Sequence, residues 1–190
     1  MKISNTKATI LTEALELIQL KGYNGFSFHH LSEKIGIKTA SIHYHFATKG
    51  DLGIALVQKI RAEAGDYFTQ LDRDIADPGK RLEKYFNIFR STFENGHRMC
   101  VGGMLALESK TLPAELVAEV RCYFDDHEAW LSKTLQIGRK QKVFSFNKSS
   151  REVARNLFAA LEGAMLSACA FGEVERFNAA ATWYLNQLRS

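Results

Sequence analysis

Residues 26–52 read FSFHHLSEKIGIKTASIHYHFATKGDL, and the spacing within this stretch decides the fold. Ser27 is placed to cap a helix whose apolar residues Phe28, Leu31 and Ile35 recur at helical intervals, and Gly36 supplies the backbone freedom to reverse direction. A second helix follows at once. Its apolar side is thin, mainly Ile37, Ile42 and Phe46, so Lys38, Thr39, Ala40, Ser41, His43, Tyr44 and His45 are left facing outward or toward a partner. A helix that short does not persist alone in water. It must be held by the preceding helix and by Ile10, Ala14, Leu15 and Ile18 of an N-terminal amphipathic segment. The stretch therefore predicts a three-helix helix-turn-helix unit.

The run Gly36-Ile37-Lys38-Thr39-Ala40-Ser41-Ile42-His43-Tyr44-His45-Phe46, with Lys49 and Leu52 after it, resembles the DNA-binding signature of the TetR/AcrR family of bacterial repressors. The likeness extends back through Ile10, Ala14, Leu17, Gly22, Phe26, Ser27 and Leu31. It implies an all-α chain of about nine helices, with a helix-turn-helix DNA-binding domain at 1–50 and an effector-binding and dimerisation domain at 51–190. It further implies a homodimer whose two reading helices, about 34 Å apart, meet successive major grooves of a palindromic double-stranded operator. A small-molecule inducer would release it. By the same resemblance Lys38, Thr39, Ala40 and His29 would reach base edges, while Ser41, Tyr44, His45 and Lys49 would hold phosphates. His45 serves equally well as a packed imidazole next to the following helix. Where many members have Tyr, this chain has His43, which makes the phosphate contact at that position weaker or pH-sensitive. No arginine stands in this region, so the commonest bidentate contact to guanine is missing and recognition is expected to lean on Lys, hydroxyls and shape.

With 190 residues and 46% hydrophobic content, the chain is long enough to bury a real core. No apolar run approaches the roughly 18 residues that span a bilayer, and Glu13 and Glu16 interrupt the N-terminal apolar stripe. A cytoplasmic protein is the plain expectation. Cys100, Cys122 and Cys169 are odd in number and far apart, which suits free thiols better than a disulfide framework. The formal net charge is +4, and residues 1–52 hold six lysines, no arginine and four acids, so charge alone does not reveal a nucleic-acid partner. Four of the six histidines, His29, His30, His43 and His45, do lie there. Each can donate to a phosphate or base edge and gain charge as pH falls, so affinity for DNA is expected to rise from neutral to mildly acidic pH.

Almost no alternating apolar pattern occurs, and Pro78 and Pro113 sit at plausible helix starts. A long connecting helix is expected from about 49 to 72, then helices near 79–95, 102–109, 114–140, 149–171 and 174–188. The second part carries aromatics at helical spacing, such as Tyr85, Phe86, Phe89 and Phe93 on one helix, and Val120, Tyr123, Phe124, His127, Trp130 and Leu131 on another. Most are core side chains, yet the polar His127 and Glu162 on apolar faces suit a bundle that encloses a mostly apolar small molecule. Candidate ligand residues are Phe86, Phe89, Phe93, Cys100, Met104, Tyr123, His127, Trp130, Phe158 and Glu162. The last two helices bear long apolar faces relieved by small residues. Leu157, Leu161, Ala164, Met165, Ala168, Phe177, Ala181 and Tyr184 are the candidate dimer interface, with packing inside one subunit as the other reading of the same periodicity.

Cys100 follows Gly96-His97-Arg98-Met99 and precedes a helix start, where unpaired N–H groups and Arg98 favour a thiolate. That stretch is similar to a TetR subgroup with a Cys at this place, some of whose members respond to electrophiles and reactive chlorine. A repressor switched by oxidation or alkylation of Cys100 is thus an alternative to one with a reversible inducer, and a small buried hydrophobe is the bland reading of the same residue. A helical cysteine enzyme acting on electrophiles is a remote third, since no base is spaced to activate Cys100. No metal-ligand spacing, phosphate loop, nucleophile elbow or carboxylate pair is found, so no catalytic residue, metal or cofactor is expected. The run Arg139-Lys140-Gln141-Lys142 reads as a solvated helix end.

Overall fold

The computed structural model describes residues 2–189, with side chains from Thr6 onward. Among the described residues the chain is all-helical, with nine helices: α1 (Lys2–Lys21), α2 (Phe28–Ile35), α3 (Thr39–His45), α4 (Lys49–Asp74), α5 (Pro78–Glu94), α6 (Val101–Leu107), α7 (Ala114–Lys140), α8 (Ser150–Phe171) and α9 (Val174–Arg189). None of them is long and apolar enough to cross a membrane. The sequence punctuates them where it should. Pro78 opens α5 behind Asp77, whose carboxylate accepts from the N–H groups of Gly79 (2.7 Å) and Lys80 (3.3 Å). Ser149 and Glu152 form a reciprocal cap at the start of α8, and Gly172 ends that helix in the left-handed conformation. The guanidinium of Arg81 donates to the carbonyls of Ile75 (2.6 Å) and Asp72 (3.0 Å), satisfying the C-terminal end of α4.

Contacts group the residues into two compact units, Met1–Ala62 with Val101–Tyr123, and Glu63–Cys100 with Phe124–Ser190. In the first, Ile10, Ala14, Leu17 and Ile18 of α1 are buried, as are Leu31 of α2 and Ile42 of α3, with α2 packed on both α1 and α3, while Leu15 stays half-buried. Leu52 and Leu56 of α4, Leu105 of α6 and Leu116 of α7 complete this core. Gly102 lets α6 approach α7, since a Cβ there would lie 2.3 Å from the ring of Tyr123. Glu108, just past α6, accepts from the backbone N–H groups of Tyr23 and Asn24, and the Asn24 side chain donates to Thr111 at 2.7 Å. The α1–α2 turn is therefore held by residues 85 positions away.

In the second unit α8 and α9 pack along each other and against α5. Tyr85, Leu131, Leu135, Leu157, Phe158, Leu161, Met165, Ala168 and Phe177 are among its fully buried side chains.

Gly36 has φ 75° and ψ 32°, and its N–H donates to the carbonyls of Ser32 and Glu33. A Cβ at this position would meet no neighbour, so only the backbone conformation opposes a side chain. Gly36→Ala is expected to cost about 1–2 kcal/mol, the penalty for an L-residue in left-handed backbone. Denaturant titration checks it, and an unchanged midpoint would contradict the turn geometry.

Candidate functional site

The α2–α3 pair is built to hold one short helix rigidly outward. Ser27 caps α2 through its side chain, which accepts from the His30 N–H (3.3 Å), while His30 Nδ1 accepts from the Ser27 N–H (3.2 Å). Ser32 Oγ lies 3.0 Å from Thr39 Oγ1, a link that fixes α3 on α2 on the far side of the Gly36 turn. Of the seven residues of α3 only Ile42 is buried, and Phe46 closes the helix with 3% exposure. Lys38, Ala40, Ser41, His43 and Tyr44 are exposed, Tyr44 to 76%. No acid occurs from Lys38 through Gly50. The nearest acids are engaged elsewhere: Glu16 and Glu13 hold Lys34 (2.7 and 3.3 Å), Glu33 meets His29 (3.4 Å), and Asp51 accepts from the Thr48 N–H (2.9 Å). Its hydrogen bond to Glu16 holds the Lys34 ammonium pKa above the ordinary lysine value. The result is a narrow, acid-free helical face of a size that enters a major groove.

The other expected DNA residues divide. His29 is exposed on α2 beside its acidic neighbour Glu33. His43 sets its ring edge-on to Phe28 at 5.0 Å, with Nδ1 3.3 Å from the Ala47 carbonyl, so it supports the α3 end while remaining exposed. His45 is half-buried beside the Tyr44 ring. Lys49 departs from the expected phosphate contact. Its ammonium donates to the carbonyls of Tyr23 and Phe26 and lies over both rings, 4.4 and 4.3 Å from their centroids. Burial there holds its pKa below the ordinary lysine value, and the charge is spent on closing the α1–α2 turn.

The second unit contains a buried polar set lined by rings. The Tyr85 hydroxyl pairs with His127 Nδ1 at 2.8 Å. His127 stacks on Phe158 (5.1 Å) and stands edge-on to Phe68 (5.1 Å), which stacks on Trp130 (4.8 Å). Burial lowers the His127 pKa to about 4 and pushes the Tyr85 phenol well above its usual range, so both are neutral at physiological pH. Glu162 on α8 is 9% exposed, and both of its carboxylate oxygens are buried without a partner of hydrogen-bond geometry. Burial raises its pKa to about 7, opposed by the Cys100 thiol beside it. Cys100 is buried immediately before α6, beside this carboxyl and near the Tyr85 hydroxyl.

Of the candidate ligand residues, Phe86, Phe89, Phe93, Cys100, His127, Trp130, Phe158 and Glu162 belong to this unit, whereas Met104 and Tyr123 belong to the first. Tyr85 and Phe68 join the set although spacing marked neither as a site residue. Their only sequence signal was apolar periodicity on α4 and α5.

The residues nominated for a dimer face are taken up inside the protomer. Leu157, Leu161, Met165, Ala168 and Phe177 are 0% exposed, Ala164 and Ala181 are buried, and Tyr184 is half-buried. What α8 and α9 leave outward is Leu166, Phe171 and Trp183, at 43%, 61% and 58% exposure.

Comparison with known proteins gives this geometry a family. The profile described as bacterial regulatory proteins, tetR family, matches residues 10–56. No curated protein sequence matches the chain. Among solved structures, a TetR-family transcriptional regulator from Agrobacterium tumefaciens is 34% identical with a TM-score of 0.95, the match covering 99% of this chain and 100% of that one. A TetR transcriptional regulator from Legionella pneumophila is 31% identical over 99% and 100% of the two chains, with a TM-score of 0.90. The reduced form of Escherichia coli NemR, 20% identical over 96% and 97%, shares the fold with a TM-score of 0.83. Full-length identity above 30%, together with an acid-free α3 braced on α2, places the chain in the TetR family of DNA-binding transcriptional regulators with a helical ligand-binding domain.

Proposed function

We propose that this protein is a one-component repressor that binds a palindromic operator as a homodimer and is released when a small molecule enters its second unit. The observation that carries the DNA reading is α3: a seven-residue helix with one buried residue, fixed on α2 by the Ser32–Thr39 contact, with every neighbouring acid turned to another task. Lys38 is its free cation, standing at the N-cap position without a capping hydrogen bond. Lys38→Ala is expected to weaken binding to a promoter fragment by at least tenfold, in line with about 1–3 kcal/mol for a base contact. Fluorescence anisotropy on the two proteins measures this, and equal affinities would overturn the assignment of α3 as the reader.

A second subunit is supported by the exposed Leu166 and Trp183 on α8 and α9, since apolar side chains grouped on one helix pair mark an interaction surface. The effector reading rests on Glu162, a carboxylate that native packing does not leave unsatisfied without reason. An apolar ligand with a hydrogen-bond donor would satisfy it. Coupling to DNA runs by linkage, so an effector that weakens operator binding must itself bind more weakly when operator is present. Within the first unit Glu108 ties α6 to the α1–α2 turn, so displacement of α6 is transmitted to the reading helix.

A second reading is favoured by the placement of the Cys100 thiol beside the Glu162 carboxyl. Here the effector is an electron-poor alkene. Sulfur–carbon bond formation at Cys100 passes the thiol proton to Glu162, which returns it to the carbanion formed on the alkene, so the adduct is the alkene plus one thiol. Cys100→Ser is then expected to keep operator affinity and lose release by N-ethylmaleimide. Release of Cys100→Ser to the wild-type extent would remove the covalent reading.

A further inference from the structure

An open groove of about 670 Å³ runs between α5 and α9, on the side of α5 away from the Tyr85–His127 pair. Its floor is apolar, formed by Phe86, Ala181 and Leu185. Its walls carry four cations, Lys80, Lys84, Arg90 and Arg189, against the single acid Glu83. Two links fix the spacing of the walls. Arg189 pairs with Glu83 across the groove at 2.9 Å, and Arg90 Nε donates to the Asn178 side-chain oxygen at 2.8 Å. Arg189 also reaches the first turn of α5, where a Cβ at Gly79 would come within 2.7 Å of its Nη2. With Glu83 engaged by Arg189, the ammonium groups of Lys80 and Lys84 meet no carboxylate among the described residues. The volume falls within the roughly 300–1,000 Å³ of small-molecule sites.

We propose that this groove binds an amphiphilic monoanion, a carboxylate on a short unbranched acyl chain. The head sits between Lys80 and Lys84, and the chain lies along Phe86 and Leu185. Two uncompensated cations attract the anion, while the apolar floor distinguishes this occupant from a bare phosphate or a nucleic-acid backbone, which has no use for it. The site shares only Phe86 with the candidate effector residues and stands whether or not a ligand among the others controls DNA binding.

Calorimetric titration of the full chain with decanoate below its micelle concentration, at low salt, tests the proposal, with acetate and decanol as the head-only and chain-only probes. Expected is saturation by one decanoate per chain, at least tenfold tighter than either fragment. Lys84→Glu should weaken decanoate at least tenfold. Thr182→Trp, a change at an exposed groove residue that fills the channel without touching a charge, should abolish binding with an unchanged melting temperature. Wild-type decanoate affinity in both variants, equal affinity for decanol, or no saturable decanoate binding would each overturn it.

Discussion

Ile42→Ala is expected to destabilise the first unit by about 2–4 kcal/mol and to remove DNA binding almost entirely, an effect far larger than its single lost side chain suggests. Ile42 is 0% exposed and is the one buried residue among the seven of α3. A helix of two turns has no stability of its own in water, because the nucleation cost is never recovered over so few hydrogen bonds. Its order is borrowed through Ile42 from the core of the first unit, where Leu31, Ile10, Ala14 and Ile18 are all essentially inaccessible to solvent. Removing the side chain leaves a cavity in that core and frees α3 to fray, so Lys38, Ser41 and Tyr44 lose their shared geometry. Ile42→Val supplies the control. It keeps the branch point and most of the volume, is expected to cost about 0.5–1.5 kcal/mol, and should retain binding. Denaturant titration and anisotropy on a promoter fragment read both effects. Retention of DNA affinity within twofold in Ile42→Ala would show that α3 is held by something other than this residue.

Much of this unit is legible in the sequence because its signals are local. Ser27, Gly36 and the spacing of Phe28, Leu31 and Ile42 act over a few residues, and each takes the structural role its chemistry dictates. The longer helices are legible for the same reason: periodicity, with Pro78 at the start of α5, places α5 and α8 within a residue or two. What escapes is every feature that depends on residues far apart in the chain. Lys49 stands where a phosphate-binding lysine is expected, but its destination is fixed by two carbonyls 23 and 26 residues earlier. Glu108 gives no hint that it holds the α1–α2 turn, and nothing in the spacing of Tyr85 and His127 pairs them across 42 residues. The apolar faces of α8 and α9 show a third limit. Periodicity identifies Leu157, Leu161 and Phe177 as facing something apolar, and it is blind to whether that surface belongs to the same subunit; in the fold it does.

Glu162→Gln is expected to change how stability depends on pH by about 3 kcal/mol, without altering the fold. In the native chain the carboxyl keeps its proton up to about pH 7, against an ordinary value of 4.5. Between those limits the folded state binds the proton more tightly than the unfolded chain, so this group's contribution is complete below pH 4.5 and is lost as pH rises through 7. A shift of that size in a buried group corresponds to about 3 kcal/mol. His127 works in the opposite direction. Its native value of about 4 lies below the ordinary 6.5, so it destabilises the fold as pH falls from 6.5 toward 4. Across the shared range the two slopes oppose each other, and wild-type stability from this pair is nearly flat. Glu162→Gln removes one slope and exposes the other. The variant should gain stability from pH 4 to 6.5 and hold it above, and its difference from wild type should widen by about 3 kcal/mol between pH 4.5 and 8. Because the comparison is between pH values, the constant cost of burying the Gln amide drops out. Parallel wild-type and variant profiles would mean that Glu162 is solvated in the folded state, and the effector argument would fall with it. A widening difference has a direct functional meaning. Above about pH 7 the ligand-free unit then carries a buried carboxylate with the Cys100 thiol beside it, a cost that a stronger donor would relieve, and relief available in one conformation but not another is the differential affinity that a population shift requires.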